Sequence, residues 1–194
     1  MDRKNNGPVL RRREVVNALL ADRGGLLVIA GLGAPAWDIT AAGDHPRNLP
    51  LWGGMGSAAM IGLGLALAQP DEPVLVITGD GEMLMGLGAL CTVAVKRPPN
   101  LTIAVLDNEH YGETGMQTTH THFGVDLAGM ARAAGIEHSS TIRDMDAIGA
   151  LRAQVHARAG TTFAQVKIDA ETLPLVLPPR EGALLQARMR EALM

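Results

Sequence analysis

Two short apolar runs, each ending in polar residues, constrain what this chain can fold into more than anything else in it. Pro73-Val74-Leu75-Val76-Ile77-Thr78 is apolar and β-branched and runs into Gly79-Asp80-Gly81. Leu101 to Leu106 repeats the pattern and ends on Asp107-Asn108. Runs of this length without polar alternation read as strands buried on both faces, as in a parallel sheet covered by helices. Between them, Glu82 to Val95 is rich in Met, Leu and Ala and reads as one helix. The polar residues therefore fall where parallel strands end and loops begin. That rim is where open α/β sheets bind ligands.

The chemistry at this rim suits magnesium and a diphosphate. Asp80 offers a carboxylate, Asn108 an amide oxygen, and the carbonyl near His110 a third oxygen; Mg²⁺ prefers such hard donors together with water and phosphate. Gly79 and Gly81 allow close backbone approach to a phosphate, and the N–H groups opening the next helix would face that anion. No Lys or Arg lies between Arg47 and Lys96, nor between Arg97 and Arg132. Ligand charge is thus expected to be met by metal and N–H dipoles, and the Gly-Lys-Ser/Thr of a P-loop is missing.

Gly79-Asp80-Gly81 followed by Asn108 resembles the signature of the thiamine-diphosphate enzymes. Trp52-Gly53-Gly54-Met55-Gly56-Ser57-Ala58 is similar to the family's segment that holds the aminopyrimidine ring. Asp107 to Gln117 looks most like the phosphonopyruvate and sulfopyruvate decarboxylases. The resemblance spans about Leu26 to Ile168, one diphosphate-binding (PP) domain, and implies thiamine diphosphate and Mg²⁺ as cofactors. It places Asp80, Asn108 and His110 at the metal. It places Gly33, Gly54, Gly79, Gly81, Glu82, Tyr111, Gly112, Glu113 and Thr114 around the cofactor, with Met55 propping its bent shape. Thr114 and Gln117 would close over the substrate. His120 would meet the substrate's acid group or relay a proton.

Taken in order, the chain reads as alternating strands and helices, a three-layer α/β/α fold with a mostly parallel sheet. Arg11-Arg12-Arg13 is followed by no apolar run and is not a secretory signal. Glu14 to Ala21 reads as an amphipathic helix and Leu26 to Ala30 as the first strand. Gly31-Leu32-Gly33-Ala34-Pro35-Ala36 resembles a degenerate dinucleotide fingerprint, but positions 45–70 hold no acid for a ribose. Trp37 to Leu51 reads as polar and turn-rich, and Met55 to Ala68 is too short to span a bilayer. In the polar loop after Asn108, His120 and His122 are two apart and share a face if extended. Asp126 caps a helix that Gly135 stops, a strand follows near His138 to Ile142, and Asp144 opens a helix to about Arg158. Thr162 to Ile168 is the last strand. Asp169 and Glu171 read as structural or solvated, and a tail from about Pro174 ends in a helix from Glu181 to Leu193.

One domain of 194 residues, 47% hydrophobic, can bury a substantial core. A net charge of −3 gives no reason to expect nucleic acid or an anionic membrane as partner. The single cysteine, Cys91, excludes an internal disulfide, fits the reducing cytoplasm, and reads as buried helix packing.

One requirement of the family is missing. A glutamate that activates the pyrimidine ring comes, in these enzymes, from a separate pyrimidine-binding (PYR) domain across an interface. Glu14 and Glu82 are the local candidates, and neither suits the role. The sequence is thus expected to be the PP subunit of a hetero-oligomeric decarboxylase acting on a small 2-oxoacid, with a PYR-domain subunit supplying the glutamate. A carboligase subunit, or a binding protein for thiamine diphosphate or a dinucleotide, is the alternative.

Overall fold

The structure, a computed structural model, describes residues 9–194. In chain order its elements are α1 (Arg12–Leu20), β1 (Leu27–Ala30), α2 (Ala34–Ala41), β2 (Asn48–Pro50), α3 (Ala58–Ala68), β3 (Val74–Gly79), α4 (Asp80–Met85), α5 (Ala89–Lys96) and β4 (Leu101–Asp107). There follow β5 (His110–Tyr111), β6 (Gln117–Thr118), α6 (Leu127–Ala134), β7 (His138–Ile142), α7 (Met145–Ala157), β8 (Thr162–Lys167) and α8 (Gly182–Glu191). Six strands pair in the order β2-β1-β3-β4-β8-β7, all parallel, while β5 and β6 make a small antiparallel ladder.

Side chains alternating along buried strands feed two cores. Val28, Leu75, Ile77, Ala104, Leu106 and Val166 face α1, α2 and α7. Leu27, Ile29, Val74, Val76, Ile103, Val105 and Phe163 face α3, α5 and α6. This is the three-layer α/β/α arrangement expected from the strand pattern. From β1 the chain crosses to β2 on one side and returns to β3 on the other, so the switch in direction lies between β1 and β3. In such sheets the ligand crevice opens there, at the carboxyl ends of the strands.

Several boundaries agree with the reading of the sequence. Asp126 accepts from the Gly129 N–H and Asp144 from the Ala147 N–H, each at 2.8 Å, and Gly135 ends α6 at φ 109°. Others differ. The helix expected over Glu82–Val95 is two helices, broken around Gly86–Gly88. A Cβ on Gly86 would stand 2.1 Å from the Gly56 carbonyl oxygen, so the break lets two backbones touch. Trp37–Leu51 is not merely turns: it holds most of α2, whose Pro35 sits in the first turn, and then β2. Cys91 is exposed, because the buried stripe of α5 runs through Ala89, Leu90, Val93 and Ala94. Helix α1 begins at Arg12, two residues before its expected start. No helix among the described residues is long and apolar enough to cross a membrane.

The contact at Gly86 is backbone against backbone, and nothing flexible can yield. Gly86→Ala is expected to cost roughly 1–3 kcal/mol, the range for overpacking a close-packed site. Urea unfolding of the variant beside wild type measures this; an unchanged midpoint would show that the Gly56 loop does not rest on α4.

Candidate active site

The site begins with the register of β4 and β8. Asp107 and Lys167 end adjacent parallel strands as direct partners, both buried. The Lys167 ammonium lies 2.8 Å from Asp107 Oδ2 and 2.5 Å from Glu109 Oε1. Gln165, also on β8, donates to Asp107 Oδ2 at 2.6 Å. A cation thus does reach the rim, correcting the expectation drawn from the gap between Arg97 and Arg132. It is spent on carboxylates beneath the surface.

Asp80 stands beside this cluster at the end of β3. It is 2% exposed and Asp107 0% exposed. Thr121 Oγ1 lies 2.9 Å from Asp80 Oδ2 and 2.8 Å from Asp107 Oδ1, bridging the two acids. Thr119 also donates to Asp80 Oδ2 and is 2.9 Å from Thr121. Two hydroxyl hydrogens must serve four close oxygen–oxygen contacts, so the cluster is short of positive charge. Burial, and then the Asp107 charge, push the Asp80 carboxyl up to about 6, while the two threonines pull it down. Lys167 pairs with Asp107 and Glu109, while Asp80 is met by the two threonines, so the Asp80–Asp107 pair is incompletely compensated.

Asn108, one residue beyond β4, faces the same space. Its Oδ1 accepts from the His110 N–H at 3.0 Å, which fixes the amide and leaves a second lone pair on that oxygen. The His110 ring turns back to the Asn108 carbonyl, with Nδ1 at 2.8 Å. Among the described residues no three or more His, Cys, Asp or Glu side chains gather as a metal cluster. The donors at hand, a carboxylate and an amide oxygen, instead suit a hard cation that keeps waters and phosphate oxygens.

Glu82 braces the loops around this point. It is buried and accepts from Thr78 Oγ1 at 2.8 Å, while its other oxygen, Oε1, makes no direct hydrogen bond. Burial pushes its carboxyl up, and the backbone amides of Ala58, Gly56 and Leu32 lie near enough to favour the anion. Met55 rides on the loop so held, 39% exposed, between Gly54 (φ 73°) and Gly56 (φ 91°). Across from it, Glu113 accepts from the Trp37 indole N–H at 3.2 Å and packs over Gly33.

These parts enclose a cavity of about 320 Å³. Of the residues singled out from the sequence, Met55, Gly79, Asp80, Gly81, Glu82, Asn108, His110, Tyr111, Gly112, Glu113 and Thr114 line it. Gly33, Gly54, Gln117 and His120 do not. Gln117 is turned onto Thr114, accepting from its hydroxyl at 2.9 Å and donating to its carbonyl at 2.8 Å. His120 and His122 do not share the face of an extended strand; they fall in a 3₁₀ turn, and His122 sits 3.4 Å from Glu109. The threonines that alternate with them, Thr119 and Thr121, point inward. The sequence reading also missed Lys167, Trp37, Arg12 and the tail. Glu171, read as structural or solvated, lines the cavity with Thr172, Leu173 and Leu175.

A doubly wound sheet thus sets a buried acid at one strand end and an amide oxygen at the next in a cavity that Met55 also lines, the crevice position at which such sheets bind ligands. The chain belongs to the thiamine pyrophosphate enzymes: residues 38–166 match the model of their C-terminal thiamine-pyrophosphate-binding domain. It is 38% identical over 160 residues to sulfopyruvate decarboxylase subunit beta of Methanothermobacter thermautotrophicus, covering 82% of this chain and 83% of that one. Identity to phosphonopyruvate decarboxylase of Streptomyces hygroscopicus is also 38%, over 81% of this chain but only 36% of that protein. The fold matches a putative thiamin diphosphate-dependent enzyme from Mycobacterium smegmatis with a TM-score of 0.70 at 21% identity, over 84% of this chain and 32% of that one. Thiamine diphosphate is accordingly the cofactor of this fold, with Mg²⁺ as its usual companion.

The Asp80 environment gives a signed prediction. A carboxyl whose folded pKa is about 6, against 3.8 ordinarily, weakens the ligand-free fold as pH rises between those values. Asp80→Asn is therefore expected to raise ligand-free stability at pH 7, with the gain vanishing below about pH 4. Thermal unfolding of both proteins from pH 4 to 8 tests it; a variant less stable at pH 7 would contradict the charge shortage.

Proposed function

We propose that the chain is the diphosphate- and Mg²⁺-binding subunit of a two-chain thiamine-diphosphate-dependent 2-oxoacid decarboxylase, of the sulfopyruvate or phosphonopyruvate type. The observation that carries this is Asp80, buried beside Asp107, lining a cavity that Met55 and Asn108 also line. Names of the relatives support it, and the relative of similar length is called subunit beta.

In this reading Asp80, Asn108 and the backbone near His110 hold Mg²⁺. Gly79 and Gly112 leave room for the diphosphate, while the bare α-carbon of Gly81 seats the Tyr111 ring. Met55 supports the bend of the cofactor, and Glu113 and Thr114 close the mouth. Bound thiamine diphosphate supplies the electron sink that lets CO₂ leave a 2-oxoacid. The protein's part is to fix the two ends of the cofactor and keep water from the cavity. Residues from about 26 to 168 form the domain core and 174–194 its tail, in a cytoplasmic protein.

The partner chain provides the pyrimidine's glutamate. Carboxylates in the cavity are already engaged: Glu82 with Thr78, Glu113 with Trp37, and Glu171 with Arg11 at 3.0 Å. Glu82 alone keeps an oxygen, Oε1, without a direct hydrogen bond, and that oxygen is buried.

Assays of sulfopyruvate and phosphonopyruvate decarboxylation by the rigorously purified chain, alone and mixed with a PYR-type subunit, test the proposal. Turnover is expected only in the mixture. Equal turnover by the single chain would mean that one of its own carboxylates serves the pyrimidine, and would overturn the two-chain reading.

A further inference from the structure

The three consecutive arginines at the start of α1 part company in the fold. Arg11 pairs with Glu171, Nη2 to Oε2 at 3.0 Å. Arg13 donates from Nε to Asp38 Oδ1 at 3.0 Å and from Nη2 to the Pro174 carbonyl. These two tie the tail to α1 and α2. Arg12 instead lines the cavity, only 8% exposed, with Thr172 on the same wall.

Arg12 is poorly satisfied for a buried guanidinium. Among the described residues its ion-pair partner is Asp38, with Nε 3.1 Å from Oδ2, yet neither atom makes a well-directed hydrogen bond. Asp38 also pairs with Arg13, so two arginines share one buried carboxylate. Arg11, Arg12 and Arg13 share this corner with Asp38 and Glu171, and Arg11 also lies in the field of Glu14 and Asp169. The Arg12 Nε makes no hydrogen bond among the described residues, and its side chain lines the cavity.

A residue kept there for packing alone would be better replaced by an apolar one, since a buried guanidinium that must share its counter-ion is costly. The guanidinium presents paired donors in a planar fork, a shape matched to oxyanions and able to bind two oxygens at once. Its field is strengthened by the low-dielectric surroundings.

We infer that Arg12 is an anion-recognition residue whose guanidinium takes a tetrahedral oxyanion group, phosphonate, sulfonate or phosphate, entering the cavity. The inference rests on the proposed function for its two sources of such a group. One is the second acid group of the 2-oxoacid; the other is a phosphate of the cofactor. It gives Arg12 the role that sequence reasoning assigned to His120, which does not reach the cavity.

The test uses the full chain, wild type, Arg12→Gln and Arg12→Lys, titrated calorimetrically with methylphosphonate and separately with inorganic pyrophosphate plus Mg²⁺. Arg12→Gln is expected to weaken at least one ligand by about tenfold or more, with Arg12→Lys between the two because it keeps charge but loses the fork. Loss confined to methylphosphonate assigns the site to the substrate's acid group. Loss confined to pyrophosphate assigns it to the cofactor. Both uphold an anion site. If either variant folds and binds both ligands as wild type does, Arg12 is only a counter-ion and the inference falls. No 2-oxoacid or partner chain enters these titrations, so their outcome is independent of whether the decarboxylase reading stands.

Discussion

Everything at the active end of this molecule depends on placing two carboxylates, Asp80 and Asp107, side by side at the ends of neighbouring buried strands. Parallel pairing does the placing. The register of β3 with β4 and of β4 with β8 sets Asp80, Asp107 and Lys167 in one row. Lys167 and the Thr119–Thr121 pair offset part of the repulsion, and the shortfall that remains is what a divalent ion would fill. The fold thus gives up some ligand-free stability to hold these two carboxylates together, a common arrangement where function and stability compete.

Around that row the loops are held by contacts from distant parts of the chain. Glu82 binds Thr78 and lies against the amides of the Met55 loop and of the first glycine turn. Gly86 lets α4 touch Gly56, and Tyr111 packs on Gly81, where any side chain would collide with its ring. The arginines of α1 anchor the tail across the cavity. These latches tie strand ends, helix ends and the tail to the loops around the cavity.

Much of this was legible in the sequence, and the residues explain why. Strands β3 and β4 are buried on both faces, so their apolar runs had no polar interruption to hide them. Asp126, Asp144 and Gly135 cap helices by local rules that need no tertiary knowledge. What stayed hidden depends on contacts far along the chain. Asp38 looked like a turn residue because the arginines that pair with it lie 25 and more positions away. The break at Gly86 exists only because Gly56 presses there. In Thr119-His120-Thr121-His122 a period of two was visible, but which set points inward was not, and the threonines were chosen because two carboxylates needed hydroxyl donors. Lys167 and Arg12 were invisible as site residues for the same reason: their partners are strands and helices apart.

The central claim is that this chain binds thiamine diphosphate through a cation held at Asp80 and Asn108. Calorimetric titration of the purified chain with thiamine diphosphate, in Mg²⁺ and again in excess EDTA, tests it most directly. The account predicts measurable, if weak, binding with Mg²⁺ and none without it. Equal affinity in the two buffers would show that the acid row holds no metal and would contradict the account.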